Sequence, residues 1–163
     1  MTDERLQERI GGALGRIPSG LFILTARHED RSAGMLASWV QQVCFEPPMV
    51  SVAVAKGRPI MPLISDSRQF GLCQLPKGDK VNMRKFAGGT EPGDDPFLGF
   101  DMVQDTVLES PILSHTLCYL ECELCCHMDV EGDHDLFVGR IRGGGMRETG
   151  EPWVHIRENG FKY

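Results

Sequence analysis

The sequence predicts a mainly β protein, a closed or nearly closed barrel carrying a few short peripheral helices. Short apolar, β-branched segments recur along the chain, turn residues separate them, and only three segments have helical spacing. A length of 163 residues is enough to bury one real core and suits a single domain over 1–163.

Taken in order, Asp3–Ile17 carries Leu6, Ile10, Ala13, Leu14 and Ile17 at the spacing of one helical face. Thr2 is placed to cap that helix, Asp3 and Glu4 suit its first turn, and Pro18-Ser19-Gly20 stops it. Gly11, Gly12 and Gly15 lie inside the helical pattern with no strand before them, so they do not form a dinucleotide loop. Leu21–Arg27 reads as a strand and His28–Ser32 as a charged turn. Leu36–Val43 and Met49–Ala55 are strands around a Glu46-Pro47-Pro48 turn. Pro59–Ser67 reads as a helix with proline in its first turn, Phe70–Leu75 as a strand, and Asp79 caps a helix through Val81, Met83 and Phe86. Gly88–Gly99 is a long Gly, Pro and Asp-rich loop, the kind that often forms a lid. Met102–Val107, Thr116–Met128, Leu136–Arg142 and Trp153–Ile156 are strand-like, with Gly143-Gly144-Gly145 as a turn.

A net charge of −6 and a pI near 5.3 argue against a nucleic-acid partner, which rewards a clustered basic surface. The opening MTDERLQER has no apolar signal core, and the apolar runs GLFILTA and MVSVAVA are too short to span a bilayer. A cytoplasmic enzyme or binding module fits this balance. In that compartment Cys44, Cys73, Cys118, Cys122, Cys125 and Cys126 are expected as reduced, mostly buried thiols.

The segment CYLECELCCH is a candidate metal site by residue type alone. In a continuous strand Cys118, Cys122 and Cys126 share one face and Cys125 the other, and residues four apart sit roughly 13 Å from one another. That is too far to share an ion, so no metal is expected. G-x-S-x-G, P-loop and H-E-x-x-H patterns do not occur, and hydrolysis has no support. His134, in the turn Gly132-Asp133-His134-Asp135, reads either as a solvated residue or as a functional one. The stretch Gly34–Arg58 is apolar through its middle and ends in Lys56-Gly57-Arg58, a pattern suited to holding a flat ligand that brings its own reactivity.

In combination these segments resemble the flavin reductase-like family. The matching stretches are TARHED at Thr25–Asp30, GMLASWVQQ, PPMVSVAVAKGR, FAG at Phe86–Gly88, YLEC at Tyr119–Cys122, GDHDLFVGR at Gly132–Arg140 and the closing VHIRENGFKY. The last looks like the end of reductase domains fused to flavodiiron proteins, although this chain carries no diiron or flavodoxin module.

The resemblance implies an antiparallel Greek-key split β-barrel that binds FMN, with FAD as the alternative. It implies NAD(P)H as electron donor, a homodimer, and a small-molecule acceptor or redox partner protein. The flavin ring would lie along Met35, Leu36, Ala37, Ser38, Trp39 and Val40, with Ser51 and Phe86 nearby. The phosphate would meet Ala55, Lys56, Gly57 and Arg58, where glycine permits close backbone approach, cations pair with phosphate and a helix N-terminus favours anions. His155 and Tyr163 would close the flavin site or the dimer seam, and His134 would position the donor. The flavin carries the chemistry, so no catalytic side chain is expected. A second reading is an FMN-holding electron-transfer or sensor module without NAD(P)H turnover, and a third is a cysteine-based metal or redox sensor.

Overall fold

The computed structural model of the chain describes residues 3–163. Nine strands and three helices follow one another along those residues. They are α1 (Asp3–Gly15), β1 (Ser19–Gly20), β2 (Phe22–His28), β3 (Arg31–Ala37), β4 (Val40–Cys44), β5 (Met49–Ala55), α2 (Ile60–Ser67) and β6 (Gln69–Gln74). Then come α3 (Lys80–Ala87), β7 (Cys118–Asp129), β8 (His134–Met146) and β9 (Val154–His155). Thr2, the expected cap of α1, lies outside the described residues.

Seven strands form one antiparallel sheet in the order β3-β2-β6-β7-β8-β5-β4, and β1 pairs with β9 separately. The two edge strands, β3 and β4, are consecutive in sequence. Only Ser38 and Trp39 separate them, so the sheet curls until its edges meet at that corner. The Ala53 N–H donates to the Trp39 carbonyl at 3.1 Å, which extends the β4–β5 ladder up to that corner. The result is the mainly β split barrel that the sequence predicts.

Alternation along β2 and β6 explains the two cores. Leu24, Ala26 and Leu72 point inward with Val50, Val52, Val54, Phe70 and Phe137, and α2 adds Ile60, Leu63 and Ile64. On the other face, Leu21, Ile23 and Cys73 meet Phe86 of α3 with Phe97, Ile112 and Leu113 from the long excursion between α3 and β7. Glu121, 1% exposed, holds that excursion by accepting the Leu108 N–H at 2.8 Å. Thr25 does the same by donating to the Pro111 carbonyl at 2.6 Å.

Several expectations need correction. The predicted Leu36–Val43 strand is broken by the Ser38–Trp39 corner, and Arg31–Ala37 forms a hairpin with β2 around Glu29-Asp30. Met102–Val107 makes only an isolated bridge, Met102 to Leu113. Gly143-Gly144-Gly145 is not a turn but the continuation of β8 opposite Glu121, Leu120 and Tyr119. A Cβ on Gly143 would press on the Glu121 carboxylate, and one on Gly144 would stand 2.5 Å from the Tyr119 carbonyl oxygen.

Helix α1 is turned from its predicted face. Leu6, Ile10 and Ile17 are exposed, whereas Gly11 and Gly15 are buried. The chain near its end crosses the helix at these glycines. The Arg157 N–H donates to the Gly15 carbonyl at 3.1 Å and the Gly160 N–H to Gly11 at 2.7 Å. No helix among the described residues is long and apolar enough to cross a membrane.

Candidate functional site

The corner at the end of β3 gathers an aromatic and cationic cluster. The half-buried Trp39 ring lies 4.8 Å from the His134 ring and 5.9 Å from that of Tyr163, centroid to centroid. The Arg157 guanidinium sits 5.3 Å from the Trp39 centroid and 5.6 Å from the Tyr163 centroid, so one cation serves two π faces. The Tyr163 hydroxyl shares a 3.1 Å hydrogen bond with Ser38 Oγ. Because α1 clamps residues 157–160, the end of the chain is held against the barrel corner.

From this corner β3 runs back as an edge strand of the sheet. Gly34 points its backbone to the open edge, where the Thr90 hydroxyl accepts from its N–H at 2.9 Å and donates to its carbonyl at 3.0 Å. By period-two alternation within β3, Leu36 directs its N–H and C=O groups toward the same edge. Gly34 tolerates no larger residue, since a Cβ there would lie 2.8 Å from the Phe86 ring. Beyond Gly34 a small pocket is walled by Arg58, Pro59, Gly89 and Thr90. It adjoins a cavity of about 570 Å3 lined by Arg27, Arg31 and Ser32 on one side and by the 90–95 loop on the other. Gly57 and Gly89 both have positive φ, 82° and 75°. Nothing would obstruct a side chain at Gly57, so its glycine answers the backbone conformation.

The 129–135 turn meets the end of β5. Ala55 pairs with His134, and the Lys56 N–H donates to the Asp133 carbonyl at 2.9 Å. Lys56 Nζ lies 2.7 Å from Asp129 and 3.6 Å from Asp135. These contacts raise the lysine pKa, the Asp129 hydrogen bond being the largest cause, and the same bond lowers that of Asp129. Asp135 also receives His127 Nε2 at 2.7 Å, and the His127 ring stacks on Phe137 at 4.3 Å. His134 Nδ1 lies 2.9 Å from Asp133 Oδ1, a hydrogen bond that pulls the Asp133 carboxyl below its ordinary range.

Ser38, Trp39, Tyr163 and His134 are thus brought together, while Met35 and Arg58 border the small pocket. Met35, Leu36 and Val40 are half-buried against the cores, and Ala37 is buried. Ser51 is 7% exposed and faces the Gln41 carbonyl at 3.4 Å. Phe86 is corrected to a core residue, 1% exposed among Phe97 and Phe100. Lys56 has its ammonium paired with Asp129 and Asp135. His155 pairs with Ser19 in the small sheet. Sequence reasoning missed Arg157, Thr90 and the arginines of the β2–β3 turn. A cation inside the aromatic closing segment was the available signal for the first.

The cysteine strand also differs from expectation. A bulge between Leu124 and Cys126 turns both Cys125 and Cys126 to solvent, whereas Cys73 and Cys122 are buried. All six thiols are free.

Three comparisons bear on this arrangement. The family described as "Flavin reductase like domain" matches residues 14–162. Diflavin flavoprotein A 1 of Synechocystis sp. is 39% identical over 153 residues, which is 93% of this chain and 26% of the relative. Putative diflavin flavoprotein A 3 of Nostoc sp. is 42% identical over the same length and coverage. The chain therefore spans about a quarter of the length of the curated relatives it matches. Among solved structures, the Streptomyces globisporus C-1027 NADH:FAD oxidoreductase SgcE6 superposes with a TM-score of 0.82 at 24% identity, covering 96% of this chain and 91% of that one. The styrene monooxygenase flavin reductase of Pseudomonas putida S12 gives 0.75 at 25% identity, with 95% and 93% covered. With the match running through the barrel, the corner and the closing segment alike, the chain belongs to the flavin reductase-like family.

Proposed function

We propose that the protein is an NAD(P)H-dependent flavin reductase that holds FMN along the open edge of β3. It passes the electrons to free flavin, a metal chelate or a partner protein. The observation that carries this reading is the edge itself. β3 is an edge strand whose free side runs from the Trp39 corner back to Gly34, where a small pocket is bordered by Arg58.

The donor set fits the cofactor. Backbone N–H and C=O groups with Ser38 Oγ suit the polar rim of an isoalloxazine ring, and Trp39 and Tyr163 offer apolar faces. Arg58 stands beside Gly57 and Gly89 and just before α2, where cation, close backbone approach and helix N-terminus all favour a phosphate. The cavity past Arg58 admits the longer tail of FAD as the alternative.

When bound, the flavin supplies the hydride-accepting chemistry. The chain's residues bind, orient and exclude water. His134, against Trp39 at the rim, positions the nicotinamide donor, and the clamped closing segment shields the ring site. A transfer of this kind depends on stacking and proximity, with no obligatory protein acid or base. That accounts for an apolar strand at the centre of the site. The protein acts as a cytoplasmic homodimer.

The test is a visible spectrum of purified protein with added FMN, followed by anaerobic NADH or NADPH. Bleaching of the visible flavin band is the expected result at about stoichiometric donor. Arg58→Ala should weaken FMN about tenfold or more and leave riboflavin little changed, since a charge-assisted phosphate contact is lost. Protein that binds FMN yet is not reduced by either nucleotide refutes the reductase reading. Equal loss of FMN and riboflavin refutes the phosphate site.

A further inference from the structure

We infer that Lys56 is a positioning residue for His134, fixing the turn that presents the imidazole to Trp39, and is not a ligand of the cofactor phosphate. The inference rests on the proposed role of His134 at the donor side of the site.

The two cations that follow β5 behave differently although one glycine separates them. Arg58 borders the small pocket beside Gly89 and enters no ion pair among the described residues. Lys56 turns the other way. Its main chain and side chain grip the same turn at three points: N–H to the Asp133 carbonyl at 2.9 Å, ammonium to Asp129 at 2.7 Å, and ammonium to Asp135 at 3.6 Å. His134 lies between the last two carboxyl-bearing neighbours in sequence, Asp133 and Asp135.

Alternation along β8 makes the division of labour plain. Asp135 is inward, 7% exposed, and its Oδ1 is buried without a hydrogen-bond partner. A buried carboxylate oxygen left this way is costly unless a cation answers it, and the Lys56 ammonium is the group that does. The other oxygen, Oδ2, receives His127, which is itself fixed by stacking on Phe137. With Asp135 anchored inward on both oxygens, the preceding residue must point outward, and outward is where His134 meets Trp39 at 4.8 Å. Lys56 therefore acts on the site through the backbone of residues 133–135. Its own charge is already matched by Asp129 and Asp135, which leaves little attraction for a third anion.

Steady-state kinetics with NADH and NADPH, FMN and riboflavin binding, and amide hydrogen exchange test this on the full chain. Lys56→Met should raise KM for the pyridine nucleotide about tenfold with kcat nearly kept, the size expected when a positioning contact is displaced by less than an ångström. FMN affinity should change less than about twofold, and Lys56→Arg, which keeps the charge, should restore KM to within about threefold. Exchange at residues 130–135 should speed up in Lys56→Met and recover in Lys56→Arg, and this readout needs no turnover. An FMN affinity that falls about tenfold while riboflavin holds would make Lys56 a phosphate ligand and overturn the inference. Unchanged KM, or unchanged exchange at 130–135, would overturn it as well. If the wild-type protein oxidises neither nucleotide, the reductase reading is what fails, and the exchange experiment still decides whether Lys56 holds the turn.

Discussion

Replacing Gly15 and Gly12 separately by alanine should move stability in opposite directions, although both are glycines of one helix. At Gly12 an added Cβ would meet nothing within 4 Å, so alanine brings only its better helix propensity, about 0.5–1 kcal/mol. At Gly15 the same methyl would run into the Arg157 carbonyl, with the Arg157 carbon 3.1 Å and the Glu158 carbon 3.2 Å away, all of it backbone. The closing segment would have to lift from α1. Two backbone hydrogen bonds, Arg157 to Gly15 and Gly160 to Gly11, would be lost or stretched, each worth about 1 kcal/mol net. Arg157 would also leave Trp39 and Tyr163, a loss of about 0.5–1 kcal/mol at a half-exposed site. Against a propensity gain of about 0.5–1 kcal/mol, Gly15→Ala should destabilise by about 1.5–2.5 kcal/mol. Urea unfolding would show its midpoint falling, that of Gly12→Ala rising, and the slopes unchanged. Trp39 emission should shift to the red in Gly15→Ala alone. A Gly15→Ala protein as stable as Gly12→Ala would refute the idea that backbone contact with the closing segment dictates the glycine.

Other outcomes follow from titration and burial. His115 stands 3.1 Å from Asp101 and 3.2 Å from Glu148, and their hydrogen bonds, Asp101 first, raise its pKa. A raised folded value means the stabilisation is complete below the ordinary histidine pKa of about 6.5 and fades as pH climbs through the folded one. The melting temperature of wild type over His115→Gln should therefore be highest near pH 6 and shrink toward pH 8.5, and a constant offset would refute the pairing. Burial pushes the Cys73 and Cys122 thiols up to about 12, while Cys125 and Cys126 are exposed. A thiol-disulfide reagent at about pH 8 should label the latter two quickly and spare the former until the protein unfolds. Mass spectrometry finding all four labelled at one rate would contradict the burial.

What could be read from the sequence was mostly local. The apolar run Met49–Ala55 is β5 residue for residue, and Asp79 caps α3 by accepting the Asn82 N–H at 3.1 Å. What escaped depends on partners far along the chain. The corner at Ser38–Trp39 carries no glycine or proline, and the Ala53 N–H bond to the Trp39 carbonyl, the next rung of the β4–β5 ladder, helps to set it. Gly143-Gly144-Gly145 has the composition of a turn, yet the glycines answer the crowding of Glu121 and the Tyr119 carbonyl. Apolar spacing chose the wrong face of α1, since the face that packs is made of glycines and meets residues near the other end of the chain. For the candidate site, the apolar strand ending at Ala37 was legible, whereas the meeting of Tyr163 and His134 at Trp39 depends on segments far apart in the chain. Lys56 and Arg58 looked alike in sequence because the carboxylate that claims Lys56 is 73 residues away.

The strand order also constrains how this chain becomes a barrel. By the time residue 75 has been made, β2, β3 and β6 can assemble, as can the β4–β5 hairpin, but β6 and β5 are not neighbours. The β7–β8 ribbon, the last large element, is the piece that goes between them. Until it arrives, two apolar strand edges stand open, and closure awaits contacts of high sequence separation, the slow kind. Fragments ending before β8 should thus associate with one another rather than fold. The ribbon that completes the barrel also brings in His134, so the aromatic cluster around Trp39 is assembled only when folding finishes.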